Sequence, residues 1–152
     1  MKDSVNIDTI LDSAVEREKE SHAFYSNVAC QSNDKNVKET FKQLAVDELG
    51  HMDFLKKCKK DKNLLRNLPV PQDYKVAEAT EGPVLSTNMK PQEAIALAMK
   101  KEQEAAEFYS KLAACAIDST YRETFKGLAN MELGHKTHLE TIFVDIGYPE
   151  AW

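Results

Sequence analysis

Apolar residues recur every three or four positions in four stretches of this chain, which is the spacing of one face of an α-helix. The first two stretches hold Ile7, Ile10, Leu11, Ala14, Val15, Tyr25, Val28 and Ala29, followed by Val37, Phe41, Leu44, Ala45, Met52 and Leu55. The last two hold Ile95, Ala98, Ala105, Ala106, Tyr109, Leu112 and Ala113, followed by Phe125, Leu128, Ala129, Leu139, Ile142 and Ile146. The pattern predicts four amphipathic helices, each burying one face.

Polar residues and a proline mark where three of these helices begin. Asn33 or Asp34 suits the N-cap of the second helix, because the side chain can accept a hydrogen bond from a free backbone N–H. Asp118 or Ser119 suits the same place before the fourth helix, and Pro91 suits the first turn of the third.

The second half of the pattern repeats the first. Residues 14–58 align with residues 98–142 at a constant offset of 84 without a gap, and 19 of the 45 aligned positions are identical. The strings Glu-Thr-Phe-Lys and Glu-Leu-Gly-His occur once in each copy. A unit of this length in only two copies indicates a duplicated helical hairpin rather than a solenoid.

The segment between the copies is too long for a tight turn but can run back along a helix. Two hairpins joined by such a crossover form a ferritin-like four-helix bundle, so we predict an all-α fold of this kind. The expected organisation is one domain over residues 1–152, with hairpin one at about 6–60, the crossover at about 61–90 and hairpin two at about 91–146.

Composition excludes several classes of protein. Only 5 of the 152 residues are Gly and 5 are Pro, which is too few for an all-β chain with many tight turns. The formal net charge of −5 argues against nucleic-acid binding. No apolar run reaches the roughly 18 residues that a membrane-spanning helix needs. We therefore expect no nucleic-acid partner and no membrane segment.

The cysteines and the N-terminus bear on the compartment. Cys30, Cys58 and Cys115 form no Cys-x-x-Cys pair, and three cysteines cannot all be bridged. We interpret them as buried thiols in a reducing environment. The first residues lack the basic-then-apolar order of a signal peptide. These features predict a cytoplasmic protein.

Acidic and imidazole side chains interrupt the apolar faces at equivalent places in both copies. They are Glu18, Glu48 and His51 in the first copy and Glu102, Glu132 and His135 in the second. Four carboxylates buried together would repel one another and lose their hydration. Two divalent cations would cancel the four charges, and neutral imidazoles would complete the coordination. The alternative is that these residues lie on solvated helix surfaces, where any one of them alone is usually found.

Chain length places these residues at one level of the bundle. Glu18 and Glu48 each lie 15 residues from Asn33, where the first hairpin would turn. In antiparallel helices both are then about 22 Å from the turn. Glu102 and Glu132 have the same relation to a turn near Ile117. The Glu-x-x-His spacing puts each histidine on the face of the glutamate before it, so six candidate ligands meet in one layer.

A glutamate on one helix and a Glu-x-x-His on the next, given twice, resembles the di-iron carboxylate pattern. The form Glu-x6-Tyr followed by Glu-x2-His, duplicated over residues 5–146, is similar to the rubrerythrin branch of the ferritin-like superfamily. The resemblance implies two iron ions. The ligand set of oxygen and nitrogen without thiolate suits iron or manganese better than structural zinc, so manganese or a mixed pair is the alternative.

The resemblance also implies a role for each residue. Glu48 and Glu132 would bridge the metals, while Glu18 with His51 and Glu102 with His135 would be terminal ligands. The tyrosines seven residues after the first ligand of each copy resemble the family's tyrosines that hydrogen-bond ligand carboxylates, with ordinary core aromatics as the alternative. They are Tyr25 and Tyr109.

Two departures from the family pattern affect the predicted chemistry. Rubrerythrins proper carry a rubredoxin-type domain with Cys-x-x-Cys motifs, and this sequence has no such motif. The resemblance therefore implies a separate electron-carrier protein, such as a rubredoxin. Many rubrerythrins also have a carboxylate three residues after the third-helix ligand. Here that position is Ala105, and Glu104 and Glu107 are expected to point away.

The function implied by the resemblance is reduction of hydrogen peroxide, as in the response to oxidative stress, by a chain that forms a homodimer. One alternative is a ferroxidase or another iron-handling protein that uses O2. The other is a bundle that binds two metal ions without catalysis.

Four further residues are open to more than one interpretation. His22 and His138 have no histidine at the equivalent position of the other copy, so we expect ordinary structural or solvent-facing roles. Gly50 and Gly134 lie inside predicted helices, where glycine is unfavourable. They either allow a neighbouring helix to approach closely or were retained from the duplicated unit.

Overall fold

The computed structural model describes residues 2–83 and 88–147. The chain forms helices α1 (Lys2–Gln31), α2 (Lys35–Lys60), α3 (Asn63–Arg66), α4 (Val76–Ala79), α5 (Pro91–Cys115) and α6 (Ser119–Gly147). None of the described residues belongs to a strand. The predicted all-α, ferritin-like bundle is confirmed, and the short helices α3 and α4 add structure within the crossover.

Repeat-related aspartates cap the second helix of each hairpin. The Asp34 carboxylate accepts hydrogen bonds from the backbone N–H groups of Asn36 and Val37, at 2.8 and 3.0 Å. The Asp118 carboxylate accepts from Thr120 in the same way, at 2.8 Å. Of the two candidates at each turn, the aspartate is therefore the cap. The long helix after the crossover begins at the predicted proline.

Two cation–π contacts join the hairpins. The Arg17 guanidinium lies 4.6 Å from the centre of the Phe108 ring, and the Lys101 ammonium lies 4.5 Å from that of Phe24. Lys101 is the repeat partner of Arg17, and Phe108 that of Phe24. The repeat therefore relates each contact to the other, and together they stabilise the antiparallel packing of α1 against α5.

The apolar core is divided into two clusters towards opposite ends of the bundle. The first includes Tyr25, Phe41, Leu44, Ile95 and Met99, and the second includes Leu11, Leu55, Tyr109, Leu128 and Met131. Each cluster takes residues from both hairpins, so each joins one hairpin to the other. The space between the clusters lies at the middle of the four long helices.

A buried lysine on α6 holds the crossover in place. The ammonium of Lys136 is 2.8 Å from a carboxylate oxygen of Asp73 and 2.7 Å from one of Glu78. Burial opposes ionisation of these groups, but the ion pairs outweigh it: the pKa values of Asp73 and Glu78 lie below their usual range, and that of Lys136 lies above. The network fixes residues 73–78 against α6.

Glu140, one helical turn after Lys136, completes this attachment. Its side chain is fully buried and lies 3.5 Å from the Lys136 ammonium. Its carboxylate also accepts hydrogen bonds from the backbone N–H groups of Tyr74 and Ala77. The sequence analysis did not predict this cluster.

The cysteines are only partly as predicted. Cys58 is buried, whereas Cys30 and Cys115 are exposed, so the prediction of buried thiols is wrong for those two. Both exposed cysteines lie at the C-terminal ends of long helices, where Ala29 and Ala113 take the positions on the buried face. No described helix contains a stretch long and apolar enough to cross a membrane.

Candidate metal centre

The four glutamates predicted as ligands lie between the two core clusters, one on each long helix. All are buried, with 2–6% of their surface exposed: Glu18, Glu48, Glu102 and Glu132. The interpretation of solvated surface acids is therefore wrong for these four.

His51 on α2 faces carboxylates from both helices of its own hairpin. Its Nδ1 atom is 3.3 Å from an oxygen of Glu48 and 3.8 Å from an oxygen of Glu18. The first of these contacts satisfies the geometry of a hydrogen bond. The spacing Glu-x-x-His thus brings both side chains of α2 to Glu18, as predicted.

His135 on α6 repeats this arrangement in the second hairpin. Its Nδ1 atom is 3.6 Å from an oxygen of Glu102 and 3.7 Å from one of Glu132. These distances are too long for hydrogen bonds. The atom is buried and has no hydrogen-bond partner. A buried imidazole nitrogen without a hydrogen bond is unfavourable, and in the neutral ring such an atom could coordinate a cation.

The two imidazoles bring the two halves of the centre together. The rings of His51 and His135 are stacked, with their centres 3.4 Å apart and their planes 8° apart. Within this layer, two sets of three residues have ligand atoms within 4.8 Å of one another and so could hold a metal ion; a third set, Asp73, Glu78 and Glu140, is the cluster that surrounds Lys136. One set is Glu18, His51 and His135, and the other is Glu102, Glu132 and His135. Glu48 adjoins the first set through His51.

Burial makes the carboxylates of this layer resist ionisation. Desolvation raises the pKa of Glu48 to about 7, and the adjacent Glu18 contributes to the rise. Desolvation and the charge of Glu102 likewise raise the pKa of Glu132 to about 7. A raised carboxyl pKa of this kind is expected at a site where a bound cation would stabilise the ionised form.

In the two histidines, by contrast, the surroundings favour the charged form. Burial disfavours their charged form, but the carboxylates of Glu18 and Glu48 outweigh it and raise the pKa of His51 to about 9. Glu102 and Glu132 raise the pKa of His135 well above its usual value in the same way. In the metal-free protein, protons therefore take over part of the charge compensation.

Lysine and arginine side chains do not compensate the layer in the described part of the chain. Among the described residues, no Lys or Arg forms an ion pair with any of the four glutamates; their pairs are with the two histidines alone. The donor set of four carboxylates and two imidazoles, with one orphaned nitrogen, fits two iron or manganese ions. The residues present could therefore hold the metal pair that the sequence predicts.

Tyr25 and Tyr109 lie on opposite sides of the ligand layer, each in one of the core clusters. Burial raises the pKa of both hydroxyls, and the charges of the ligand glutamates raise it further. Both tyrosines are thus protonated hydroxyls next to carboxylates. Their hydrogen bonds to specific ligands stay a prediction.

The remaining candidates have separate positions. The His22 ring lies 2.8 Å from the carbonyl oxygen of Ala45 and links α1 to α2, which is the structural role expected of it. His138 is exposed, as expected, but also lines a cavity next to the ligand layer. Glu107 is exposed and accepts a hydrogen bond from Gln103, so it points away from the layer.

The layer is reached through openings on two faces. A cavity of about 390 Å³ lies between α2 and α6, and one of about 500 Å³ lies between α1 and α5. Asp47, on the wall of the first, was missed by the sequence analysis. Its repeat partner is the apolar Met131, and that replacement was the available signal.

Comparison with known proteins gives one family. The family model described as Rubrerythrin matches residues 9–142 of the chain. Among solved structures, a hypothetical protein from Pyrococcus furiosus has 25% sequence identity and a TM-score of 0.51, over 96% of this chain and 93% of that one. No curated protein matches the chain.

Proposed function

Because the chain belongs to the rubrerythrin family, we propose that it is a di-iron oxidoreductase that reduces hydrogen peroxide with electrons from an external donor. The observation that carries the proposal is the buried layer of four carboxylates and two imidazoles, in which the Nδ1 atom of His135 has no hydrogen-bond partner. Bound cations would stabilise the ionised form of such a layer, which burial disfavours.

The proposed ligand roles follow the repeat. Glu18 with His51 would hold one iron and Glu102 with His135 the other, because each histidine nitrogen lies closest to carboxylates of its own hairpin. Glu48 and Glu132 would bridge the ions. The four carboxylate charges would balance two divalent ions, so no further anion is needed to bind the reduced metal pair.

The protein contributes positions and surroundings, and the metals contribute electrons. Two bound ferrous ions would supply two electrons, and with two protons hydrogen peroxide becomes two molecules of water. The two core clusters would cover the layer towards both ends of the bundle, and small molecules would reach it through the two openings between the helices. Tyr25 and Tyr109 would orient ligand carboxylates through their hydroxyl groups, which are protonated at neutral pH.

The partners of the reaction are also proposals. We propose a separate electron-carrier protein such as a rubredoxin, a cytoplasmic location and a homodimer. The chain has three free cysteines in the described structure and no Cys-x-x-Cys pair that could bind a rubredoxin-type iron. The reducing equivalents would then arrive from outside the 152 residues.

Anaerobic loading with Fe(II) tests the proposal. The metal content per chain is measured first, and the loaded protein is then mixed with hydrogen peroxide or with O2 while iron absorption is followed. Two irons per chain and much faster oxidation by peroxide are expected. Glu48→Gln and His51→Ala should lose iron and turnover together. Glu39→Gln, at an exposed position of the same helix, is the matched control and should change neither.

Three results would contradict the proposal in different ways. Negligible iron after loading would refute the metal centre itself. Faster oxidation by O2, with uptake well above two irons per chain, would indicate iron handling instead. Two bound irons that neither oxidant oxidises at a useful rate would indicate a binding protein without catalysis.

A further inference from the structure

The cavity between α2 and α6 opens directly onto the candidate ligands. Both histidine rings line it, together with ligands from each hairpin, so a molecule in this cavity reaches both halves of the centre. Its lining also includes Tyr25, Leu44, Asp47, Gly50, Gly134 and His138. The cavity has a volume of about 390 Å³, which exceeds that of any small oxidant.

Two repeat-related glycines frame this cavity, each directly before a candidate ligand histidine. A Cβ atom added to Gly50 would have no neighbour within 4 Å, and one added to Gly134 would meet only Pro71, at an ordinary 3.7 Å. Gly127 is different, because a Cβ there would lie 2.6 Å from a side-chain atom of Leu65. Close helix packing thus explains Gly127 but not Gly50 or Gly134.

Glycine inside a helix is less stable than alanine. Two glycines that no close contact requires therefore need another explanation. Both glycines line the cavity that contains the His51 and His135 rings, so neither position adds a side chain to its wall. Keeping that space free gives small molecules access to the candidate ligands.

The two copies of the repeat differ around this opening, and the differing residues lie on opposite sides of the histidine pair. Asp47 and His138 line the cavity on one side of the histidine pair. Their repeat partners, Met131 and Phe54, lie on the other side and pack in the second core cluster. The surroundings of the histidine pair are therefore more polar on the side of Asp47 and His138 than on the side of Met131 and Phe54.

We propose that the opening framed by Gly50, Gly134, Asp47 and His138 is the entrance through which small polar ligands reach the metal pair, and that the two glycines set its size limit. The inference rests on the proposed metal centre. It adds which face of the bundle is used and which residues control access.

The second opening, between α1 and α5, is the competing entrance. It contacts three of the glutamates but neither histidine. Its rim carries Arg17 and Lys101, whose side chains cover the Phe108 and Phe24 rings, and the exposed Glu20 and Glu104. A molecule in this opening would meet neither histidine, whereas the glycine-framed opening leads to both.

Binding kinetics of azide to the Co(II)-loaded protein test the entrance without any turnover. Metal content is counted first, and the azide association and dissociation rates are followed through the cobalt absorption. In Gly50→Leu both rates should fall by about tenfold or more. Their ratio should stay constant, because a narrowed passage changes the barrier and not the end states. Gly50→Ala should slow the rates less.

Ser21→Leu is the matched control, because it places the same side chain in the second opening. Unchanged azide rates are expected for it. Slowing by Ser21→Leu instead of Gly50→Leu would overturn the proposal, as would a changed equilibrium affinity in Gly50→Leu with unchanged association. Failure to hold two metals per chain in the wild type would refute the proposed function and this entrance together, whereas two metals with rates insensitive to Gly50→Leu would refute the entrance alone.

Discussion

Among individual residues, the candidate ligand glutamates lie in buried surroundings that disfavour their ionised form. Glu48 is 2% exposed, and its pKa of about 7 shows that the metal-free interior favours its neutral form. Lys136 is equally buried but has two carboxylates within 2.8 Å. Lys136 has carboxylate partners within the protein. Glu48 has no lysine or arginine partner among the described residues, and a bound cation would neutralise it.

Glu48→Gln should stabilise the metal-free protein at alkaline pH and abolish metal binding. The folded-state pKa of Glu48 is raised from 4.5 to about 7, so the stability associated with its proton is present at low pH and lost as the pH rises through about 7. Above that pH the neutral amide should raise the free energy of unfolding by up to about 3 kcal/mol. Urea unfolding in EDTA at pH 5 and pH 8 measures this, and a gain of equal size at pH 5 would contradict it.

Alanine at two helical glycines should have opposite effects. Gly50→Ala should raise the free energy of unfolding by up to about 1 kcal/mol, because the new methyl group meets no atom and helix propensity improves. Gly127→Ala should lower it by about 1–3 kcal/mol, because its Cβ would lie 2.9 Å from the Leu65 carbonyl oxygen. Thermal unfolding of both metal-free variants checks the signs, and a destabilising Gly50→Ala would contradict the open space assigned there.

Among the elements, the crossover is the one whose attachment depends on a few charges. It is held to α6 by Lys136 and Glu140, together with a hydrogen bond from the Thr137 hydroxyl to the Gln72 carbonyl. These side chains lie within two turns of α6. They fasten residues 72–78 of the crossover to hairpin two.

Lys136→Met should loosen the crossover and destabilise the protein by about 3–5 kcal/mol, because the buried Glu140 and its neighbours lose their cation. Trypsin cleavage at the exposed Lys75 should become faster. The double variant Lys136→Met/Glu140→Gln should recover part of the stability. Lys57→Met, which removes an exposed ion pair, is the control and should have almost no effect. A single variant as stable as the wild type would contradict the attachment.

The elements also show what the sequence could predict. Repetition of the apolar faces defined four helices and their pairing, and the caps at Asp34 and Asp118 were predicted to within one residue. That the four glutamates and two histidines lie together could be predicted because they are duplicated at equal distance from each turn; their role as ligands stays a prediction. The Lys136 cluster was not predicted, because its partners lie in the unrepeated crossover, whose path no periodicity describes. The exposure of Cys30 and Cys115 depends on helix ends, which the periodic pattern does not resolve.

In the whole molecule, protonation would compete with the proposed metal binding for the same layer. Metal ions bind ionised carboxylates and neutral imidazoles, while the metal-free centre retains protons on Glu48 and Glu132 up to about pH 7 and on His51 up to about pH 9. Loading the centre must therefore release protons.

The rise in melting temperature caused by a saturating divalent metal should be larger at pH 8 than at pH 6. At pH 6 the metal must displace protons from Glu48, Glu132 and His51, whereas at pH 8 the two glutamates are ionised before it binds. Calorimetry with Mn(II) at both pH values measures the two shifts, and proton release can be followed with an indicator. Equal shifts would contradict the competition, and Glu48→Gln should reduce the difference.

The division of the core into two clusters has a consequence for how the molecule opens in solution. Amide hydrogen exchange in the metal-free protein should show two separate groups of slow amides, one around Phe41 and Met99 and one around Leu11 and Leu55, with faster exchange in the helical turns that carry the ligands. Metal ions that tie all four long helices together at mid-length should slow exchange most in those turns. The two groups of slow amides would then merge into one. The metal-loaded bundle would unfold as a single cooperative unit, whereas the two halves of the metal-free bundle could open separately.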